Sequence, residues 1–137
     1  MTGILVVTHE NLGQALIDSA EFILDAKLER IYFISINIKE NADDLHKKIK
    51  QGIKKLQSGK GVIILTDMFG GTPSNLSYSF LQEGSVEVIS GVNLPMLIKA
   101  VSIREKMEIS EAAVMLVEHG KKSISLASGI LKGSKRT

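Results

Sequence analysis

A doubly wound α/β fold built on a mainly parallel sheet is predicted by three features of this chain. Short apolar runs alternate with amphipathic helical stretches. The first of these runs is continuously apolar, not apolar at every second residue, as expected of a parallel strand buried on both faces. And 137 residues with 44% hydrophobic content suffice for one sizeable core in one domain spanning 1–137. Gly3–Thr8 is the first such run, followed by Leu12, Leu16, Ser19/Ala20 and Ile23 at helical spacing through about Leu24. Arg30–Asn37 reads as the second strand. Asn41 is placed to cap a helix on which Leu45, Ile49, Ile53 and Leu56 form one stripe, with lysines opposite. Gly61–Thr66 is the third strand. A loop over Asp67–Thr72 then leads into a helix opened by Pro73 and carrying Leu76, Phe80 and Leu81. Val86–Ser90 is the fourth strand. Leu94–Arg104 and Ser110–Gly120, the latter with Ser110 as its cap, read as helices. Ser123–Leu131 fits a strand, a continued helix, or part of each.

Composition narrows the function. A net charge of +2 is too small to argue for nucleic acid or a membrane surface, and no aromatic residues interleave with the lysines for base stacking. There is no cysteine, which excludes disulfides, thiolate metal sites and thiol catalysis. Met1-Thr2-Gly3 runs straight into an apolar strand without a basic leader, and no apolar run reaches bilayer length. A cytoplasmic protein is the expectation.

In an open parallel sheet, ligands gather at the carboxyl ends of strands where the strand order reverses. His9 follows the first strand and Asp67 the third, and in the common order 2-1-3-4 these strands are neighbours across that point. A carboxylate accepting from Nδ1–H fixes the imidazole tautomer, leaves Nε2 facing outward, and stabilises the ring once Nε2 attacks an electrophile. The segment Gly70-Gly71-Thr72-Pro73-Ser74-Asn75 suggests which electrophile. Thr72 suits an N-cap, Pro73 a first helical residue, and the glycines permit close backbone approach, so free amides and the Thr72 hydroxyl suit phosphate. Histidine facing such a segment reads as phosphoryl transfer. His46, among lysines on the second helix, and His119, before Gly120, read as surface and helix-end residues without catalytic roles.

The segments Val7-Thr8-His9, Leu65-Thr66-Asp67-Met68-Phe69-Gly70-Gly71-Thr72-Pro73-Ser74-Asn75 and Gly91-Val92-Asn93-Leu94-Pro95-Met96-Leu97 resemble, in order, the IIA component of the mannose family of sugar phosphotransferase systems. The resemblance spans essentially the whole chain. It implies that His9 accepts a phosphoryl group at Nε2 from the carrier HPr and passes it to a histidine on a IIB protein for sugar uptake. Asp67 would partner the ring, and Thr72 with the Gly70–Gly71 backbone would hold the phosphoryl oxygens. No metal, nucleotide or other cofactor is implied. The family forms homodimers that exchange a C-terminal strand, which would account for Ser123–Leu131. Because the sequence stops at Thr137, the IIB acceptor is expected to be a separate protein. Met68, Phe69 and Met96 are the expected apolar docking rim for the partner carriers.

Two other phosphoryl-transfer readings fit less well. A response-regulator receiver also places an aspartate after its third strand, but it needs an acidic pair after the first, where this chain has Thr8-His9 and only Glu10. The phosphocarrier of the dihydroxyacetone kinase system also uses an N-terminal histidine, but the Asp67–Asn75 motif is closer to the mannose family. A regulatory protein that binds partners according to its phosphorylation state would share every motif named.

Overall fold

The computed structural model describes residues 1–37, 39–68 and 70–132. Four strands, β1 (Gly3–His9), β2 (Ile31–Ile36), β3 (Val62–Thr66) and β4 (Val86–Ser90), form one parallel sheet in the order β2-β1-β3-β4. This is the topology expected from the alternating runs. The helices are α1 (Leu12–Leu24), α2 (Ala42–Leu56), α3 (Thr72–Tyr78), α4 (Leu94–Ile103), α5 (Ile109–Lys122) and α6 (Ala127–Leu131). None of the described helices is long and apolar enough to cross a membrane.

The period-two geometry of a strand divides the core between the two faces of the sheet. Ile4 and Val6 of β1, with Ile63 and Leu65 of β3, pack under α1, α4 and α5. Leu5 and Val7, with Val62 and Ile64, pack under α2 and α3. Both β1 and β3 are therefore covered on both faces, which is why their sequences are apolar without alternation. The chain leaves β1 for β2 on one side and later reaches β3 on the other, so the loops after β1 and β3 diverge at one crevice. Register sets their heights: Val7 pairs with Thr66, so Asp67 stands level with Thr8, one residue short of His9.

Local signals mark most boundaries. The Asn41 side chain accepts from the Asp44 N–H at 2.8 Å and caps α2 as expected. The N-terminus of α1 is capped differently. Asn11 makes no side-chain cap bond; instead the buried Thr8 hydroxyl, still on β1, accepts from the Gly13 N–H at 2.8 Å. The cap of α5 is Glu108, not Ser110, which lies inside the helix. Within one chain, Ala127–Leu131 is a short helix and not a fifth strand, and Ile124, Leu126 and Leu131 stay exposed. At the end of the sheet away from His9, the buried Arg104 guanidinium donates to the Glu29 and Arg30 carbonyls, tying the end of α4 to the entry of β2. Burial lowers its pKa from the ordinary arginine value.

Candidate functional site

His9 and Asp67 meet above the carboxyl ends of β1 and β3. A single carboxylate oxygen, Asp67 Oδ2, accepts from the His9 backbone N–H at 2.9 Å and lies 2.8 Å from the His9 ring Nδ1. Asp67 Oδ1 accepts from the Met68 N–H at 3.0 Å. An ionised carboxylate only accepts, so the ring proton belongs on Nδ1, and the lone pair of the neutral ring is on Nε2. Exposure follows the same division: the Asp67 side chain is 11% exposed and that of His9 48%. Burial pushes the Asp67 carboxyl upward, but the hydrogen bonds from the His9 backbone and ring outweigh it. The group is held below its ordinary range.

The glycine pair completes the surroundings. Gly70 takes a positive φ of 85°, which turns the chain from the end of β3 into α3. A Cβ added to Gly71 would lie 3.2 Å from His9 Cε1. That carbon sits between the two ring nitrogens, so the Gly71 backbone flanks the ring edge that leads to Nε2. Helix α3 is capped by Gly71 and begins at Thr72, one position earlier than the sequence suggested. Pro73 still falls in the first turn, and the Thr72 side chain is exposed. The structure thus brings His9, Asp67 and Gly71 together, with Gly70 and Thr72 adjoining.

The family model described as "PTS system fructose IIA component" matches residues 3–128. The chain belongs to this family, the mannose-type IIA components of the sugar phosphotransferase system. It is 32% identical over 123 residues to the mannose-specific EIIAB component of Escherichia coli strain K12, an alignment covering 88% of this chain and 38% of that protein. The chain thus spans well under half the length of that relative. It is 27% identical over 129 residues to the fructose-specific EIIA component of Bacillus subtilis, covering 93% of this chain and 88% of that one. Among solved structures, the phosphotransferase system component EIIA from Streptococcus agalactiae superposes with a TM-score of 0.84 at 26% identity, covering 93% and 98% of the two chains.

Met68 and Met96, both expected at a docking rim, differ in their surroundings. Met68 is exposed beside Asp67. Phe69 lies outside the described residues. Met96 does not belong to the rim: it is 3% exposed and packs in the core beneath α4 and α5. The reason lies across the helix pair, where a Cβ on Gly120 would come within 2.7 Å of Met96 Cε, so the missing side chain makes room for the methionine. The Gly-Val-Asn-Leu-Pro-Met segment is a structural device. Asn93 Oδ1 caps α4 by accepting from the Met96 N–H at 2.9 Å, and its Nδ2 donates to the Gly120 carbonyl at 3.0 Å. His46 is exposed on α2, as read from sequence, and stacks on Phe80 with ring centroids 4.5 Å apart.

One group near the site went unread. Ser90, at the end of β4, meets the hydroxyls of Thr66, Ser74 and Tyr78. The available signal was a hydroxyl residue closing each of two apolar strands at the end where the site lies.

The residue after His9 carries a cost of its own. Glu10 has a φ of 48°, in the left-handed region that disfavours side chains. Glu10→Gly is expected to raise stability by about 0.5–1 kcal/mol, the relieved strain outweighing the extra freedom of the unfolded chain. Urea unfolding measures it; a destabilised variant would show that the Glu10 side chain contributes contacts worth more than the strain.

Proposed function

We propose that this IIA component is a phosphocarrier, with His9 Nε2 taking a phosphoryl group from phospho-HPr and passing it to a histidine of a IIB component during sugar uptake. The observation that carries the reading is the Asp67 oxygen held against Nδ1, which directs the Nε2 lone pair to an exposed edge of the ring. In the transfer, that lone pair forms a new N–P bond as the N–P bond to the donor imidazole breaks, and the donor nitrogen keeps the released pair. The His9 ring becomes cationic, opposite the Asp67 carboxylate. The Gly70–Gly71 backbone and the Thr72 hydroxyl hold the phosphoryl oxygens, and Met68 borders the approach of the partner carrier. The step calls on no cofactor.

The carrier works in the cytoplasm, and as a homodimer it would cover Ile124, Leu126 and Leu131, which a single chain leaves exposed. Sugar choice belongs to the membrane component and the IIB partner, because His9 meets only a phosphoryl group.

Incubation with phosphoenolpyruvate, enzyme I and HPr, followed by mass spectrometry, tests the proposal. Acid-labile, base-stable phosphate on His9, absent from His9→Ala, is the expected result. A folded wild-type chain that takes up no phosphate overturns it.

A further inference from the structure

Three hydroxyls converge on Ser90 Oγ: Thr66 Oγ1 donates to it at 2.9 Å, and Ser74 Oγ and Tyr78 OH each lie 3.1 Å away. A serine hydroxyl has one proton and two lone pairs, so three neighbours saturate it. With Thr66 donating, one of Ser74 and Tyr78 also donates, and Ser90 donates to the other. Thr66 and Ser74 are fully buried, and among the described residues neither side chain has a second hydrogen-bond partner.

The spokes of this hub lead to the two segments that frame His9. Thr66 immediately precedes Asp67, and its carbonyl accepts from the Gly91 and Val92 N–H groups, both at 3.0 Å. Ser74 stands on α3 two residues after Thr72, and the cap of that helix, Gly71, sits against the His9 ring. Ser90 itself has no recorded hydrogen bond to His9 or Asp67. We infer that Ser90 is a positioning residue for phosphoryl transfer: its hydroxyl clamps the start of α3 to the end of β3, and so sets the Gly71–Thr72 segment at working distance from His9 Nε2.

The inference rests on the phosphocarrier reading and deepens it. Loss of the Ser90 hydroxyl strands two buried hydroxyls, which must rotate or admit water, and the start of α3 is then free to shift. Such a shift alters how the phosphoryl group is held during transfer. It leaves the outer surface met by the partner carrier as it was, so the effect falls on kcat and not on KM.

The test measures single-turnover phosphoryl acceptance from phospho-HPr over a range of donor concentrations. Ser90→Ala is expected to lower kcat about tenfold with KM within about twofold, and Ser90→Thr, which restores a hydroxyl on a side chain suited to a strand, recovers most of the rate. Ser74→Ala, which removes one spoke, is the second variant should Ser90→Ala not fold, and is expected to slow transfer in the same sense. The amide NMR shifts of Gly71 and Thr72, recorded with no partner protein present, provide a readout independent of transfer and are expected to move in Ser90→Ala. A folded Ser90→Ala that melts earlier yet keeps both wild-type kcat and wild-type shifts overturns the inference, as does a folded Ser90→Thr as slow as Ser90→Ala. A wild-type chain that accepts no phosphoryl group sinks the carrier reading instead. In that event the Gly71 and Thr72 shifts alone decide whether Ser90 positions this segment.

Discussion

Asp67→Asn is expected to slow phosphoryl acceptance by about a thousandfold while leaving the chain folded, because the change leaves the shape of the site intact and corrupts its hydrogen bonds. Asp67 receives three N–H groups: the His9 backbone and ring at Oδ2, and the Met68 backbone at Oδ1. An amide has one acceptor oxygen, so either orientation fails. With the oxygen toward His9, the NH2 group meets the Met68 N–H, donor against donor. With the oxygen toward Met68, the NH2 group faces the His9 backbone N–H and offers a proton to Nδ1, which favours the tautomer with Nε2–H and removes the attacking lone pair. On the proposed carrier reading, the negative charge that would steady a phosphorylated ring is lost either way. Rapid-quench kinetics with phospho-HPr measures the rate; a loss of less than about fivefold would show that Asp67 neither fixes the tautomer nor stabilises the ring.

The same substitution carries a pH signature. The Asp67 carboxyl is held below its ordinary range in the folded chain. Its contribution to stability is therefore fully present above the unfolded carboxylate pKa of about 3.9, and is lost as the pH falls through the lower folded value. The wild type should lose stability over that acid window, and Asp67→Asn should show a shallower acid limb in denaturant titrations.

Asn93→Ala is expected to lower stability by about 2–3 kcal/mol, about 1 from the lost cap of α4 and the remainder from the Gly120 carbonyl left without its donor. For a chain of this size the fall in Tm is on the order of 10 °C. Asn93→Ser separates the two parts, because its hydroxyl can still accept from the Met96 N–H while it carries no amide to donate to the Gly120 carbonyl. Its loss should fall between wild type and alanine. Phosphoryl acceptance by folded Asn93→Ala should stay near wild type, since the Gly91 and Val92 amides keep their bond to the Thr66 carbonyl. Thermal melts with both variants check this, and equal stability of Asn93→Ala and wild type would remove the structural account of the segment.

These cases show where sequence was sufficient and where it was not. The strands were legible because β1 and β3 are buried on both faces, which leaves unbroken apolar runs, and the order β2-β1-β3-β4 then places His9 beside Asp67. The pairing needed only knowledge of which strand ends are neighbours. Met96 was misread because an apolar residue in the first turn of a helix has the same sequence signature whether it faces a partner protein or the core. The deciding fact, the space left by Gly120, lies across a helix pair. The caps of α3 and α5 also differ from the expected Thr72 and Ser110. Gly71 and Glu108 precede those helices without any side-chain cap bond, so neither start draws on the hydroxyl of Thr72 or Ser110 as a cap. Ser90 escaped notice because a serine at a strand end reads as the approach to a turn, and only folding shows that three other hydroxyls share its oxygen.

The single oxygen that holds both the backbone and the ring of His9 also bears on the entropy of turnover. A side chain tethered only at its tip must be ordered afresh at each encounter, and that loss of freedom enters every activation barrier. Here the tip is anchored to the same atom as the main chain from which it springs, and the main chain is locked into the sheet. The ordering of the imidazole is completed once, when the chain folds. On the proposed carrier reading, each encounter with a partner then has only the partner's own group left to align, so differences in transfer rate between one partner and another should reflect how each partner holds its own reacting group.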